Sequence, residues 1–221
     1  MLRDATTLNP AVVNQDRLAT LKAAWARTRR VRVEGLMRPG LAAEVAAMAV
    51  AGEFSFEARH VNEVRCVLWS QTHRWPAGDR APASTVLMAL VELLTRDIPA
   101  LAQAITGQRV WRARDEGFAF HWYTKGCYLD AHTDQGSDRA LAFVVGLTKQ
   151  RWAATRGGHL EFLAPDEQTV VDTIPPGFDT LDLFCIYPLT RPHRIPILKD
   201  SVRRLSINGW LAAEPRDPRE D

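Results

Sequence analysis

The stretch YTKGCYLDAHTDQG (123–136) decides how the second half of this 221-residue chain is read. It leaves the aromatic run FAFHWY (118–123), turns at Gly126 and enters a segment that ends in His-x-Asp. If DAHTD is extended, His132 and Asp134 sit two apart and project from one face of the strand, where both could reach one ion. An imidazole nitrogen and a carboxylate oxygen suit iron, manganese or zinc, and a third ligand would complete a two-His, one-carboxylate face. His-x-Asp is also common in solvated turns, so the rest of the chain has to decide.

From residue 110 onward, RVWRARDEGFAFHWY, ALAFVVGLT, GGHLEFL, TVVDTIP, TLDLFCIY, HRIPIL and RRLSINGWL are short, rich in β-branched or aromatic residues, and separated by Gly, Pro or polar turns. Such spacing predicts a β-sandwich or barrel. The first half differs. Asn14 can cap a helix carrying Leu18, Leu21 and Trp25 on one stripe. VRVEGLM (31–37) reads as a strand, and Pro39-Gly40 turns it into a helix over LAAEVAAMAV. FSFEARHV and NEVRCVLW (54–69) read as extended, QTHRWPAGDRAPAS (71–84) as a loop able to serve as a lid, and TVLMALVELL (85–94) as a buried helix interrupted near Pro99. The expected organisation is one domain over 1–221: a helix-rich flank at 1–109, a β core at 110–212 and a charged tail at 213–221.

Apolar residues make up 46% of the chain and charged residues 24%, as in ordinary globular proteins. Twenty-eight basic against 26 acidic residues leave +2, with no massed basic block, so nucleic acid is not an expected partner. Three widely spaced cysteines, Cys66, Cys127 and Cys185, fit neither a disulfide scaffold nor a zinc ribbon and suggest a cytoplasmic protein. The N-terminus lacks a signal-peptide apolar run, and no window approaches the roughly 18 apolar residues of a membrane span.

Six histidines are available: His60, His73, His121, His132, His159 and His193. His193 opens the run HRIPI near the far end of the β region, where a jelly roll could bring it beside the strand of His132, and is the best third ligand. Eleven residues later, Arg204 lies in RLSINGW. An arginine two before a serine on a core strand is costly unless it meets an anion. Its planar guanidinium could hold a carboxylate in bidentate fashion, helped by the Ser206 hydroxyl.

In this order YTKGCYLDAHTD, GGHLEF, HRIPI and RLSINGW resemble the iron(II)- and 2-oxoglutarate-dependent oxygenases, in their prolyl-4-hydroxylase-like branch, over about residues 110–212. The resemblance implies an α+β fold, a double-stranded β-helix (jelly roll, cupin-like) with flanking N-terminal helices. It implies His132, Asp134 and His193 as the Fe(II) ligands and catalytic centre. Arg204 would hold the distal carboxylate of 2-oxoglutarate, with Tyr123 and Ser206 assisting. The implied cofactors are Fe(II), 2-oxoglutarate and O2, and the implied activity is hydroxylation of an amino-acid-like or peptidyl small substrate, with succinate and CO2 as co-products. Because Asp134 is retained, hydroxylation is expected rather than halogenation. Asp130, Arg74, Trp75 and Trp152 are candidate substrate contacts, although Trp rings packed under a solvated surface are the plainer reading of the last two. Two other readings share part of the pattern. An AlkB-like nucleic-acid demethylase would carry a second arginine six residues after the first, where this chain has Trp210. A cupin-like metal-binding sensor would not need Arg204.

Overall fold

A computed structural model describes residues 6–61, 64–73, 84–113, 118–136, 138–186 and 192–214. The helices are α1 (Gln15–Thr28), α2 (Leu41–Ala51), α3 (Thr85–Glu92) and α4 (Ile98–Thr106). Asn14 caps α1 by accepting from the Asp16 amide, and the stripe buries Leu21 and Trp25. Gly40, at φ 88°, makes the turn into α2. No helix among the described residues is long and apolar enough to cross a membrane.

The strands are β1 (Arg30–Glu34), β2 (Ser55–Val61), β3 (Val64–His73), β4 (Val110–Arg112), β5 (Phe118–Tyr123), β6 (Tyr128–His132), β7 (Leu141–Leu147), β8 (Leu160–Leu163), β9 (Val170–Ile174), β10 (Phe178–Cys185), β11 (His193–Ile195) and β12 (Arg204–Ala213). They form one curled sheet in the order β1-β10-β7-β12-β5-β3-β6-β11-β8-β9, with β2 added to β3 and β4 to β12. The expected jelly roll is therefore present. The segments read as extended in the first half are strands of this same sheet: β1 pairs with β10, and β3 pairs with both β5 and β6. Sequence alternation marked these segments as extended but could not show which distant strands they join.

Pro99 does not interrupt the helix. A π turn at Leu93–Asp97 joins α3 to α4, Ile98 donates to the Leu93 carbonyl, and Pro99 stands in the first turn of α4. The wider π turn just before it is where the continuous helix accommodates a proline that has no N–H to give.

Period-2 alternation divides the core in two. Leu141, Phe143, Val145 and Leu147 of β7, Leu181 and Leu183 of β10, and Leu205, Ile207 and Leu211 of β12 pack against the helices. The opposite faces turn inward with Tyr123, Phe162, Phe184 and Ile195. On the same inward parity stand Asp182, Arg204 and Ser206, all buried. The inner face thus becomes polar at one end.

Candidate metal centre

β6 and β11 are antiparallel neighbours with His132 directly opposite His193. A bulge lies between this pair and the next, Leu129 opposite Ile195. It re-aims side chains along the strand. Asp134 follows two residues after the end of β6, so it arrives from the loop and not from within the strand. Its carboxylate sits between the two imidazoles, with His132 Nε2 3.5 Å from Oδ1 and His193 Nε2 3.4 Å from Oδ2. One donor atom from each residue lies within 4.8 Å of the others, the spread that one ion would span. This set of two nitrogens and a carboxylate oxygen fits Fe(II) with coordination positions left open.

The surroundings prepare each ligand. The Nδ1 of His132 lies 2.9 Å from the Asp130 carbonyl, and because a carbonyl only accepts, Nδ1 carries the proton and Nε2 keeps its lone pair. Phe184 and Phe162 flank His193, at 5.2 and 6.0 Å between ring centroids. Burial pushes the Asp134 carboxyl up, but hydrogen bonds and charge from the two imidazoles hold it well below the usual carboxylate range. It is a carboxylate at neutral pH. His132 is pushed down by burial and pulled up further by Asp134.

Further along the inner face lies a pocket walled by Val144, Gly146, Leu160, Asp182, Arg204 and Ser206 among others. The three ligand residues are not part of this wall. Arg204 stands opposite Tyr123 across the β12–β5 pair, its guanidinium carbon 4.9 Å from the tyrosine ring centroid. The arginine is 4% exposed, and its Nη1 has no hydrogen-bond partner among the described residues. A buried guanidinium with an unused donor on a cavity wall fits a carboxylate ligand. Ser206 is on the same wall, but its hydroxyl donates to Asn208 Oδ1 at 2.9 Å.

Other candidate residues are placed differently. Trp152 donates its indole N–H to the Gly157 carbonyl at 2.8 Å and packs against the inner core, so its ring is built into the 152–158 turn. Asp130 reaches the centre through its backbone carbonyl, a role that no side-chain pattern reveals. Arg74 and Trp75 lie outside the described residues. Sequence reading also passed over Asp182, although an acidic residue on the inward parity of TLDLFCIY was a legible signal.

Comparison with known proteins agrees with this geometry. Residues 118–212 match the family model described as the 2OG-Fe(II) oxygenase superfamily. The prolyl 3,4-dihydroxylase OGFOD1 of Ostreococcus tauri is 30% identical over 102 residues, which is 42% of this chain and 20% of that protein. The chain spans only about a fifth to a quarter of the length of the curated relatives it matches. Among solved structures, a Pseudomonas putida prolyl-4-hydroxylase superposes with a TM-score of 0.63 at 20% identity, covering 88% of this chain and 98% of that one. A Trichoplax adhaerens prolyl hydroxylase, solved with a hypoxia-inducible-factor peptide fragment, gives 0.64 at 19% identity and 96% coverage of both chains. These two similarities speak to the fold alone.

Proposed function

We propose that this chain is a 2OG-Fe(II) oxygenase, the superfamily whose model matches residues 118–212, and that it hydroxylates a prolyl or similar amino-acid unit of a peptide. The family's cofactors are Fe(II), 2-oxoglutarate and O2, which supply the oxidising chemistry and leave succinate and CO2. The observation that carries the reading is the convergence of His132, Asp134 and His193 on one point, with the unsatisfied Arg204 donor on the adjoining cavity wall.

The chain's own residues hold and orient. His132 and His193 present Nε2, Asp134 presents a carboxylate oxygen, and the Asp130 carbonyl keeps His132 in the tautomer that leaves Nε2 free. Arg204 pairs with the distal carboxylate of 2-oxoglutarate, and the Tyr123 ring supports the guanidinium from one side. Apolar side chains of the inner core, Phe162 and Phe184 beside His193, keep water from the centre. The substrate class rests on the relatives, whose names record prolyl hydroxylation. A cytoplasmic location is part of the same proposal and rests on three free cysteines.

The test is substrate-stimulated succinate formation across prolyl peptides, dipeptides and free amino acids, with Fe(II), O2 and 2-oxoglutarate supplied. Prolyl peptides are expected to stimulate turnover, and His132→Ala and Asp134→Ala to abolish iron binding and turnover together. Full activity in both variants would sink the metal assignment. Stimulation by free amino acids alone would sink the peptidyl one.

A further inference from the structure

Arg204 is not the sole charge at the polar end of the inner face. Arg32 and Asp182 are direct register partners across β1 and β10. Their side chains make a two-pronged ion pair: Arg32 Nε to Asp182 Oδ1 and Nη2 to Oδ2, both at 2.7 Å. The same Nη2 also donates to the Pro175 carbonyl at 2.7 Å, which fixes the fork in place. Asp182 and Pro175 both line the cavity that Arg204 lines. Asp182 lies within electrostatic reach of Arg204, yet no hydrogen bond joins them among the described residues, and Arg204 Nη1 remains unused.

We infer that Arg32 is a positioning residue for cosubstrate binding: by engaging both oxygens of Asp182 it keeps that carboxylate from closing onto Arg204, whose donor stays open to the distal carboxylate of 2-oxoglutarate. The inference rests on the Arg204 assignment proposed above. The reason is charge balance in a buried place. Arg32, Asp182 and Arg204 together carry one net positive charge, which an incoming carboxylate cancels. Without Arg32, Asp182 and Arg204 would neutralise each other, and the incoming carboxylate would be buried with no opposing charge, which is unfavourable. Two guanidiniums around one carboxylate thus act as a preset anion receptor, and its far member comes from a strand some 170 residues upstream in the chain (from residue 32 to residue 204).

The experiment is an anaerobic titration of 2-oxoglutarate into the Fe(II)-loaded full chain, read by calorimetry, with iron content measured separately. Glutarate, which has no keto group to chelate with, is titrated in parallel to read the carboxylate pocket alone. Arg32→Gln is expected to weaken both ligands about tenfold or more while iron content stays at the wild-type level. The double variant Arg32→Gln with Asp182→Asn, which removes the competing carboxylate, should recover affinity to within about threefold of wild type. Asp182→Asn alone should bind at least as tightly as wild type.

Unchanged affinity in Arg32→Gln overturns the inference, as does a double variant that stays as weak as the single one. If Arg32→Gln does not fold, Arg32→Lys decides: one point charge releases an Asp182 oxygen, so affinity must fall, and fall less in company with Asp182→Asn. Arg204→Gln separates the two levels. If it leaves 2-oxoglutarate binding intact, the Arg204 assignment itself fails; if it weakens binding while Arg32→Gln does not, only the role of Arg32 fails.

Discussion

Gly157 shows how much one missing side chain can decide. Its φ is 70°, and a Cβ built on it would lie 2.0 Å from the Ile197 carbonyl oxygen. Gly157→Ala must therefore move the backbone that follows β11, and should lower unfolding stability by about 2–4 kcal/mol in a urea titration. Tyr123 makes the opposite kind of prediction. Tyr123→Phe keeps the ring under Arg204, so stability should hold within about 1 kcal/mol while the 2-oxoglutarate requirement rises a few-fold in a turnover assay. At this scale the sequence singled out His132, Asp134 and His193, which the fold brings together, and the buried Arg204. It was silent on the Asp130 carbonyl, because every residue has one. Arg32 and Asp182, 150 positions apart, were equally unreadable as a pair.

Short elements position the centre, and their stability is local. β11 has three residues and is held from one side by β6 and from the other by β8. On its outward face Arg194 donates to Glu161 Oε2 at 2.6 Å, while His159 Nε2 approaches Oε1 of the same carboxylate at 2.9 Å. Burial pushes the Glu161 carboxyl up, but Arg194 and His159 more than offset this and leave it below its usual value. A lowered folded value means the stabilisation is full above the unfolded pKa of about 4.3 and is lost as pH falls through the folded one. Glu161→Gln should accordingly flatten the acid limb of stability against pH, as read by urea unfolding from about pH 6 to pH 3. An unaltered limb would show that the carboxylate contributes nothing there. At the other end of the fold, Asn14→Ala removes the α1 cap and should cost about 1 kcal/mol of stability with no change in iron content. That cap was legible from the residues; the π turn before Pro99 was not, because its register depends on packing beneath α3 and α4.

Across the whole molecule, the sheet separates a helix-packed core from the inner core that holds the centre. Leu101 of α4 is fully buried in the first. Leu101→Ala should lower global stability by about 2–5 kcal/mol, measured by chemical denaturation, while 2-oxoglutarate affinity is retained, because the cavity opens on the other side of the sheet. By itself the sequence determined the strand-rich second half, the α1 and α2 segments, and the ligand and arginine candidates. These follow from periodicity, capping and side-chain chemistry, which act over a few residues. Only the tertiary structure decided that β1 and β3 join the sheet that bears His132 and His193, that Asp134 reaches the histidines from a loop, and that Arg32 holds Asp182 beside Arg204. Each of these depends on which distant strand becomes a neighbour, and strand pairing is set by burial over the whole sheet and not by any local run of residues.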